Sequence, residues 1–189
     1  TKTNTLYVYN PIDNYYIATE GTFITTDYAD YMSFVNLNFR CSNNSPMNIK
    51  YSDYITFDRC NISYTSGNDG FVVNRCLNFT IKNSEIAYTS GYGIYFRGAD
   101  TNDRADAGYD YMTLASQNLL IENNLFHDVS LTDIHSDVAA VKLLDHVIGV
   151  KVAHNEFYNC SRHAISFGLD NYDVLIEYNY IHESMVNSA

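Results

Sequence analysis

Three aspartates fall within about one residue of the same column of a repeating pattern, each shortly after an apolar segment: Asp100 after Phe96, Asp145 after Leu143 and Asp170 after Phe167. Acid-assisted cleavage of a glycosidic bond needs two carboxyl groups, roughly 5.5 Å apart for retention or about 6.5 to 9.5 Å for inversion. Asp145 and Asp170 are the candidate catalytic pair, and Asp100 is a substrate-binding candidate in the same column. The competing role for each is an Asx turn at a strand end, as Asp170-Asn171 suggests. His163, next to Arg162, is the candidate proton-transfer group, and Arg162 a substrate-binding one. A second polar column runs His127, Tyr158, His182, with Asp128, Asn159 and Glu183 one residue on. From it, His127 and Glu183 are expected to bind sugar hydroxyls or move protons, unless the column is a solvated turn. His135 and Asp137, with Asp103, Asp106 and Asp110, could hold sugar or a cation. Alternating carboxylates invite calcium, but no complete ligand loop is present, so neither a metal site nor a cofactor is assigned. Tyr88, Tyr92, Tyr95 and Tyr109 are candidate platforms for sugar rings, or packing between repeats.

These residues come together only if the chain is periodic, and it is. Six segments share one pattern, opening and closing with an apolar residue: Phe34 to Phe39, Phe57 to Ile62, Ile81 to Ile86, Ile121 to Phe126, Val152 to Phe157 and Ile176 to Ile181. Their starts are separated by 23, 24, 40, 31 and 24 residues, so three intervals are one unit and two are a unit plus an insertion. A second strand keeps step with the first, always a small residue followed by two inward apolar positions. Its copies are Gly70-Phe71-Val72-Val73, Gly93-Ile94-Tyr95-Phe96, Ala140-Val141-Lys142-Leu143 and Ala164-Ile165-Ser166-Phe167. Alternation along a strand sends Phe71 and Val73 to one face and Val72 to the other. A fixed period of this length marks a solenoid, in which a coil too small to bury its own apolar face is buried by its neighbours. The expected fold is all-β: a right-handed parallel β-helix of about 24 residues per coil. The third residue after each opening position reads Leu37, Cys60, Ser84, Asn124, Asn155, Asn179, an asparagine ladder from the fourth coil onward.

Two loop insertions, about 97–115 and 127–138, interrupt the single domain spanning 1–189. Insertions in repeat proteins commonly build the binding face. The last coil has its first strand but neither a second strand nor a polar cap before Ala189. The expectation is an incomplete solenoid with an open C-terminal end, able to self-associate through that last rung.

With 46% apolar and only 17% charged residues, the chain can bury a continuous core. The formal net charge of −11 argues against nucleic acid, whose binding depends on Lys and Arg displacing counterions. No apolar run is long enough to span a membrane, and the first residues do not read as a charged-then-apolar leader, so Thr1 is expected to be a mature terminus rather than a true beginning. Cys41, Cys60, Cys76 and Cys160 form no CxxC or Cys/His cluster, so free, packed thiols are expected. Asn61-Ile62-Ser63 and Asn78-Phe79-Thr80 match the glycosylation sequon, weakly in so Asn-rich a chain.

From about Gly91 onward the segments YGIYFRGAD (92–100), LLIENNLFHDVS (119–130), VAAVKLLDHVIGVKVAHNEFYNCSRHAISFG (138–168) and VLIEYNYIHESMVNSA (174–189) resemble the pectate-lyase-like β-helix proteins of glycoside hydrolase family 141, and more distantly family 110. The first half matches only as generic coils, and an Asp-Gly-Ala stretch usual after the last segment is absent. The resemblance implies hydrolysis of plant cell-wall polysaccharide, with xylanase or α-L-fucosidase activity. It implies one catalytic acid beyond Ala189 and another among Asp145, Asp170 and the adjacent Arg162-His163. The leading expectation is a secreted, extracellular glycoside hydrolase module acting on a polysaccharide or oligosaccharide through paired carboxylates. A polysaccharide lyase acting on a uronate polymer is the alternative enzyme; it needs a base and a charge neutraliser, and the low count of basic residues weighs against it. A noncatalytic carbohydrate-binding or surface module is the third reading.

Overall fold

The computed structural model describes residues 21–66, 69–98, 115–130 and 137–184. Six coils follow one another, each with three strands. The first holds β1 (Ile24–Asp27), β2 (Ser33–Val35) and β3 (Asn38–Ser42), and the second β4 (Met47–Lys50), β5 (Thr56–Asp58) and β6 (Asn61–Thr65). The third holds β7 (Phe71–Asn74), β8 (Thr80–Lys82) and β9 (Glu85–Thr89), and the fourth β10 (Ile94–Arg97), β11 (Ser116–Glu122) and β12 (Leu125–Val129). The fifth holds β13 (Ala139–Leu143), β14 (Val147–Ala153) and β15 (Glu156–Cys160), and the last β16 (His163–Phe167), β17 (Asn171–Glu177) and β18 (Tyr180–His182). First strands pair only with first strands, second with second and third with third, giving three six-stranded parallel sheets, here sheets 1, 2 and 3. No helix occurs among the described residues.

The repeated rows stack in register. Phe34, Phe57, Ile81, Ile121, Val152 and Ile176 are consecutive partners in sheet 2. Phe71, Ile94, Val141 and Ile165 are consecutive partners in sheet 1. Each coil carries three strands where the sequence pattern suggested two. The six-residue unit is broken at its third residue, Asn36, Arg59, Asn83, Asn123, His154 or Tyr178, which takes a left-handed conformation with φ between 53° and 56°. That one residue turns the chain through a corner, so the opening apolar side chain enters the core from sheet 2 and the closing one from sheet 3. The second insertion also starts later than its sequence boundary, because His127 and Val129 belong to β12.

Stacking supplies the burial. Val152, with a rung on each side, is fully buried, whereas its partner Ile176, packed on one side, is 41% exposed. Phenylalanines stack on like residues, Phe34 on Phe57 at 4.7 Å and Phe126 on Phe157 at 4.9 Å between ring centroids. Each buried ring contributes roughly 1.5–3 kcal/mol by leaving water. The glycines before β7 and β10 have a steric cause: a Cβ on Gly70 would lie 2.4 Å from the carbonyl oxygen of Gly93, and one on Gly93 2.5 Å from that of Ala140, each on the next rung.

The asparagine ladder seals the corner between sheets 2 and 3. The Asn124 N–H donates to Asn155 Oδ1 and the Asn155 N–H to Asn179 Oδ1, both at 2.9 Å, while Asn155 Nδ2 donates to the carbonyls of Ile121 and Ala153. Ser84 and Cys60 extend the ladder toward the N-terminus: the Ser84 N–H donates to Asn124 Oδ1 and the Cys60 N–H to Ser84 Oγ. Buried main-chain groups that no strand can pair are thus satisfied by side chains one rung away. Asn155→Ala should strand several of them and lower stability by roughly 2–4 kcal/mol, read as a shift in the urea midpoint; a loss below about 1 kcal/mol would mean the ladder is not structural.

Candidate functional site

The described strands show where the insertions attach. Residues 99–114 join β10 of sheet 1 to β11 of sheet 2, and residues 131–136 join β12 of sheet 3 to β13 of sheet 1. Each long connection therefore has one end at a sheet 1 strand, β10 or β13. Alternation turns Val141 and Leu143 inward, so Lys142 between them belongs to the outer side, in register with Tyr95 on one neighbouring rung and Ser166 on the other.

Lys142 is nevertheless only 1% exposed. A buried ammonium is costly unless paired and hydrogen-bonded. Here Lys142 Nζ donates to a carboxylate oxygen of Asp137 and, at 2.9 Å, to Ser166 Oγ, whose hydroxyl donates in turn to the other Asp137 oxygen at 3.1 Å. His163 Nε2 lies 3.7 Å from that same Asp137 oxygen. The Lys142 ammonium holds the Asp137 carboxyl below the usual carboxylate range. On the other side, burial raises the Tyr95 phenol above its ordinary value, against the pull of its hydrogen bond with Arg97. Tyr92 packs on Tyr95 at 5.1 Å between centroids, and the Tyr92 N–H donates to Asp69 Oδ1 at 3.2 Å. Burial pushes the Asp69 carboxyl up to about 6. The outer face of sheet 1 thus assembles a buried cation, a phenol that keeps its proton and an imidazole beside a carboxylate.

Of the residues singled out from sequence, Asp137 and His163 belong to this cluster and Arg162 adjoins it at the start of β16. Asp145 and Asp170 lie elsewhere. They share the corner that follows sheet 1, on adjacent rungs, because Val147 pairs with Asn171. His163 opens the five-residue strand β16 and that corner follows its other end. Asp145 Oδ1 accepts the Leu169 N–H at 3.1 Å, so this carboxylate caps the turn of the next coil. Asp170 is exposed, with φ 57°.

The second polar column does stack, on sheet 3 rather than sheet 1. His127, Tyr158 and His182 are consecutive partners, with ring centroids 4.9 Å and 5.4 Å apart. His127 is buried between two carboxylates, Nε2 at 2.9 Å from Glu85 Oε1 and Nδ1 at 2.7 Å from Asp128 Oδ2. Glu183 follows β18 and is exposed. Asp100, His135, Asp103, Asp106, Asp110 and Tyr109 lie outside the described residues. Among the described residues no group of three His, Cys, Asp or Glu side chains is placed to hold a metal ion. The four cysteines are free, and burial pushes the Cys76 and Cys160 thiols up to about 12, which makes them packing groups.

Lys142 and Tyr95 are the residues the sequence reading passed over as reactive groups. The signal was present: Ala139-Ala-Val-Lys-Leu143 is an apolar strand with one lysine, in a chain holding only 11 Lys and Arg. What it lacked was the partner, since Tyr95 and Lys142 are 47 positions apart and meet only through rung stacking.

With three parallel sheets wound from repeated coils in view, the family follows. Residues 69–187 match the model described as right handed beta helix region. The chain belongs to this right-handed β-helix family. Among solved structures, the crystal structure of alginate lyase from Paenibacillus sp. str. FPU-7 matches this β-helix with a TM-score of 0.57 at 16% identity, over 79% of this chain and 50% of that one. The chain thus spans about half the length of the structure it matches, and at that identity the likeness is one of fold. Comparison with curated proteins finds no match. Neither match selects glycoside hydrolase family 141 within the β-helix family.

Asp69 gives the β-helix a pH signature. Its pKa rises from 3.8 to about 6 on folding, so the folded state binds more protons across that window and stability falls as pH climbs from 3.8 to about 6. Asp69→Asn should abolish this decline, seen as thermal midpoints that fall less than those of the parent protein over the same interval; parallel curves would refute the assignment.

Proposed function

We propose that the protein is a polysaccharide lyase that cleaves a uronate polymer by β-elimination on the outer face of sheet 1. The observation that carries this reading is Lys142, a lysine held in a fully buried position on the outer side of a sheet, beside Tyr95 and within one hydrogen-bonded group with Asp137 and Ser166. The fold it shares with an alginate lyase agrees with the reading.

Elimination breaks the C5–H bond next to the uronate carboxylate, forms the C4=C5 double bond and expels the C4 oxygen with its electron pair. The carbanion-like transition state places negative charge on the carboxylate. The Lys142 cation, held just beneath the outer face by Asp137 and Ser166, is suited to hold that charge once the bound polymer displaces what covers it, because such an interaction is stronger in a water-poor site. His163, next to Asp137, accepts the C5 proton. Tyr95, whose phenol stays protonated, donates to the departing oxygen. Arg162 adds positive charge at the entrance. A polymeric substrate of this kind places the reaction outside the cell.

A second reading, hydrolysis by Asp145 and Asp170, draws on their placement on adjacent rungs of one corner. It has against it that Asp145 is committed to the Leu169 N–H. Product chemistry separates the two. On polymannuronate, polyguluronate or polygalacturonate, a lyase releases unsaturated ends that absorb in the ultraviolet, whereas a hydrolase releases saturated ones. Lys142→Ala and Tyr95→Phe should each lower kcat on the order of 10²- to 10³-fold, and Asp170→Asn should leave the rate near that of the parent. Saturated products, or full activity without Lys142, would sink the lyase assignment.

A further inference from the structure

We propose that the outer face of sheet 3 carries a second saccharide site, a trough that binds an extended, neutral β-1,4-linked glycan without cleaving it. Two adjoining depressions run across the rungs and share Asn61 and Glu85. The larger, of about 510 Å³, continues past Asn123 and Leu125 to Glu156; the other reaches Asn38, Arg40, Tyr64 and Tyr88. Their common floor is one row of in-register residues, Asn38, Asn61, Glu85, Leu125 and Glu156. Parallel rungs repeat about every 4.8 Å, a step comparable to one sugar of an extended chain, so successive sugars meet successive rungs.

The trough is rigid before any ligand arrives. Asn61 Nδ2 donates to Glu85 Oε2 at 2.5 Å, Glu85 Oε1 faces His127 Nε2, and His127 Nδ1 faces Asp128, which accepts from Asn159 Nδ2. On one wall Tyr64 and Tyr88 stack at 4.6 Å with the Arg40 guanidinium 5.1 Å from the Tyr64 ring centre. On the other, Asn123 Nδ2 donates to Asn83 Oδ1. One acceptor is left over: Asn61 Oδ1 is buried and has no hydrogen-bond partner. An unmade bond of this kind is costly, and turning the Asn61 amide toward the trough would let a sugar hydroxyl supply the missing donor. Amides, a held carboxylate and a tyrosine wall suit hydroxyl-rich ligands.

Charge sets the class of sugar. Glu85, Asp128 and Glu156 outnumber Arg40 and Arg59 along this face. A polyuronate is repelled here and a neutral chain is not, the reverse of the preference on sheet 1. The proposal does not depend on the lyase reading, since it uses a different sheet and no reacting group.

Affinity electrophoresis tests it, with native gels containing a soluble β-1,4-glucan, β-1,4-mannan or xylan. The parent protein should be retarded in at least one of them. Asn61→Ala combined with Tyr64→Ala should lower that affinity at least fivefold while keeping the parent thermal midpoint and the parent rate on soluble polyuronate. Arg40→Ala, at an exposed position that the fold does not need, should weaken retardation independently should the double variant misfold. Lys142→Ala should leave retardation intact. No retardation of the parent in any of the three gels, retardation unchanged in the folded variants, or its loss on Lys142→Ala would each overturn the proposal.

Discussion

Everything in this molecule depends on main-chain pairing between parallel rungs that places each residue directly over its counterpart one coil away. Parallel strands cannot close a core by themselves, because each coil offers a single layer of apolar side chains. Once coils pair in register, the layer becomes continuous: Phe57 sits between Phe34 and Ile81, and Ile94 between Phe71 and Val141. The same rule governs polar groups. Asn124, Asn155 and Asn179 each satisfy the coil before them, and His127, Tyr158 and His182 stack as flat rings. A residue's neighbours on adjacent rungs of this protein are therefore those 23 to 47 positions away, and any chemistry must be written as rows.

Corners make the rows possible. A left-handed residue such as Asn83 or His154 redirects the chain within one position, which keeps the three sheets distinct and their outer faces pointing three ways. The outer faces then diverge chemically. Sheet 1 gathers Tyr95, Lys142, Ser166 and His163, and sheet 3 gathers Glu85, His127, Asp128 and Glu156. A net charge of −11 describes neither face. Charge on a solenoid is a property of each face, and the low overall count of Lys and Arg conceals that one lysine is desolvated where it would be strongest.

The architecture was legible in the order of residues because its causes are local and repeated. Apolar positions at a fixed period, small residues at Gly70, Gly93 and Ala140, and asparagines at the corner from the fourth coil onward can be read without coordinates, since each reflects a constraint repeated over several consecutive coils. The count of strands per coil was not, because one left-handed residue in an otherwise strand-like unit has no composition of its own: Asn, Arg, His and Tyr all occupy it.

The candidate site divides along the same line. Sequence alone determined that coils stack, that His127, Tyr158 and His182 form a column and that Asp145 and Asp170 share a corner, because periodicity converts spacing into adjacency. Only the tertiary structure decided that Asp145 is taken by the Leu169 N–H, that His127 is enclosed by two carboxylates and that Lys142 is buried beside Tyr95 and Asp137. Those facts depend on desolvation and on which atoms complete each hydrogen bond. Such quantities arise from the packing of several coils at once and leave no period in the chain.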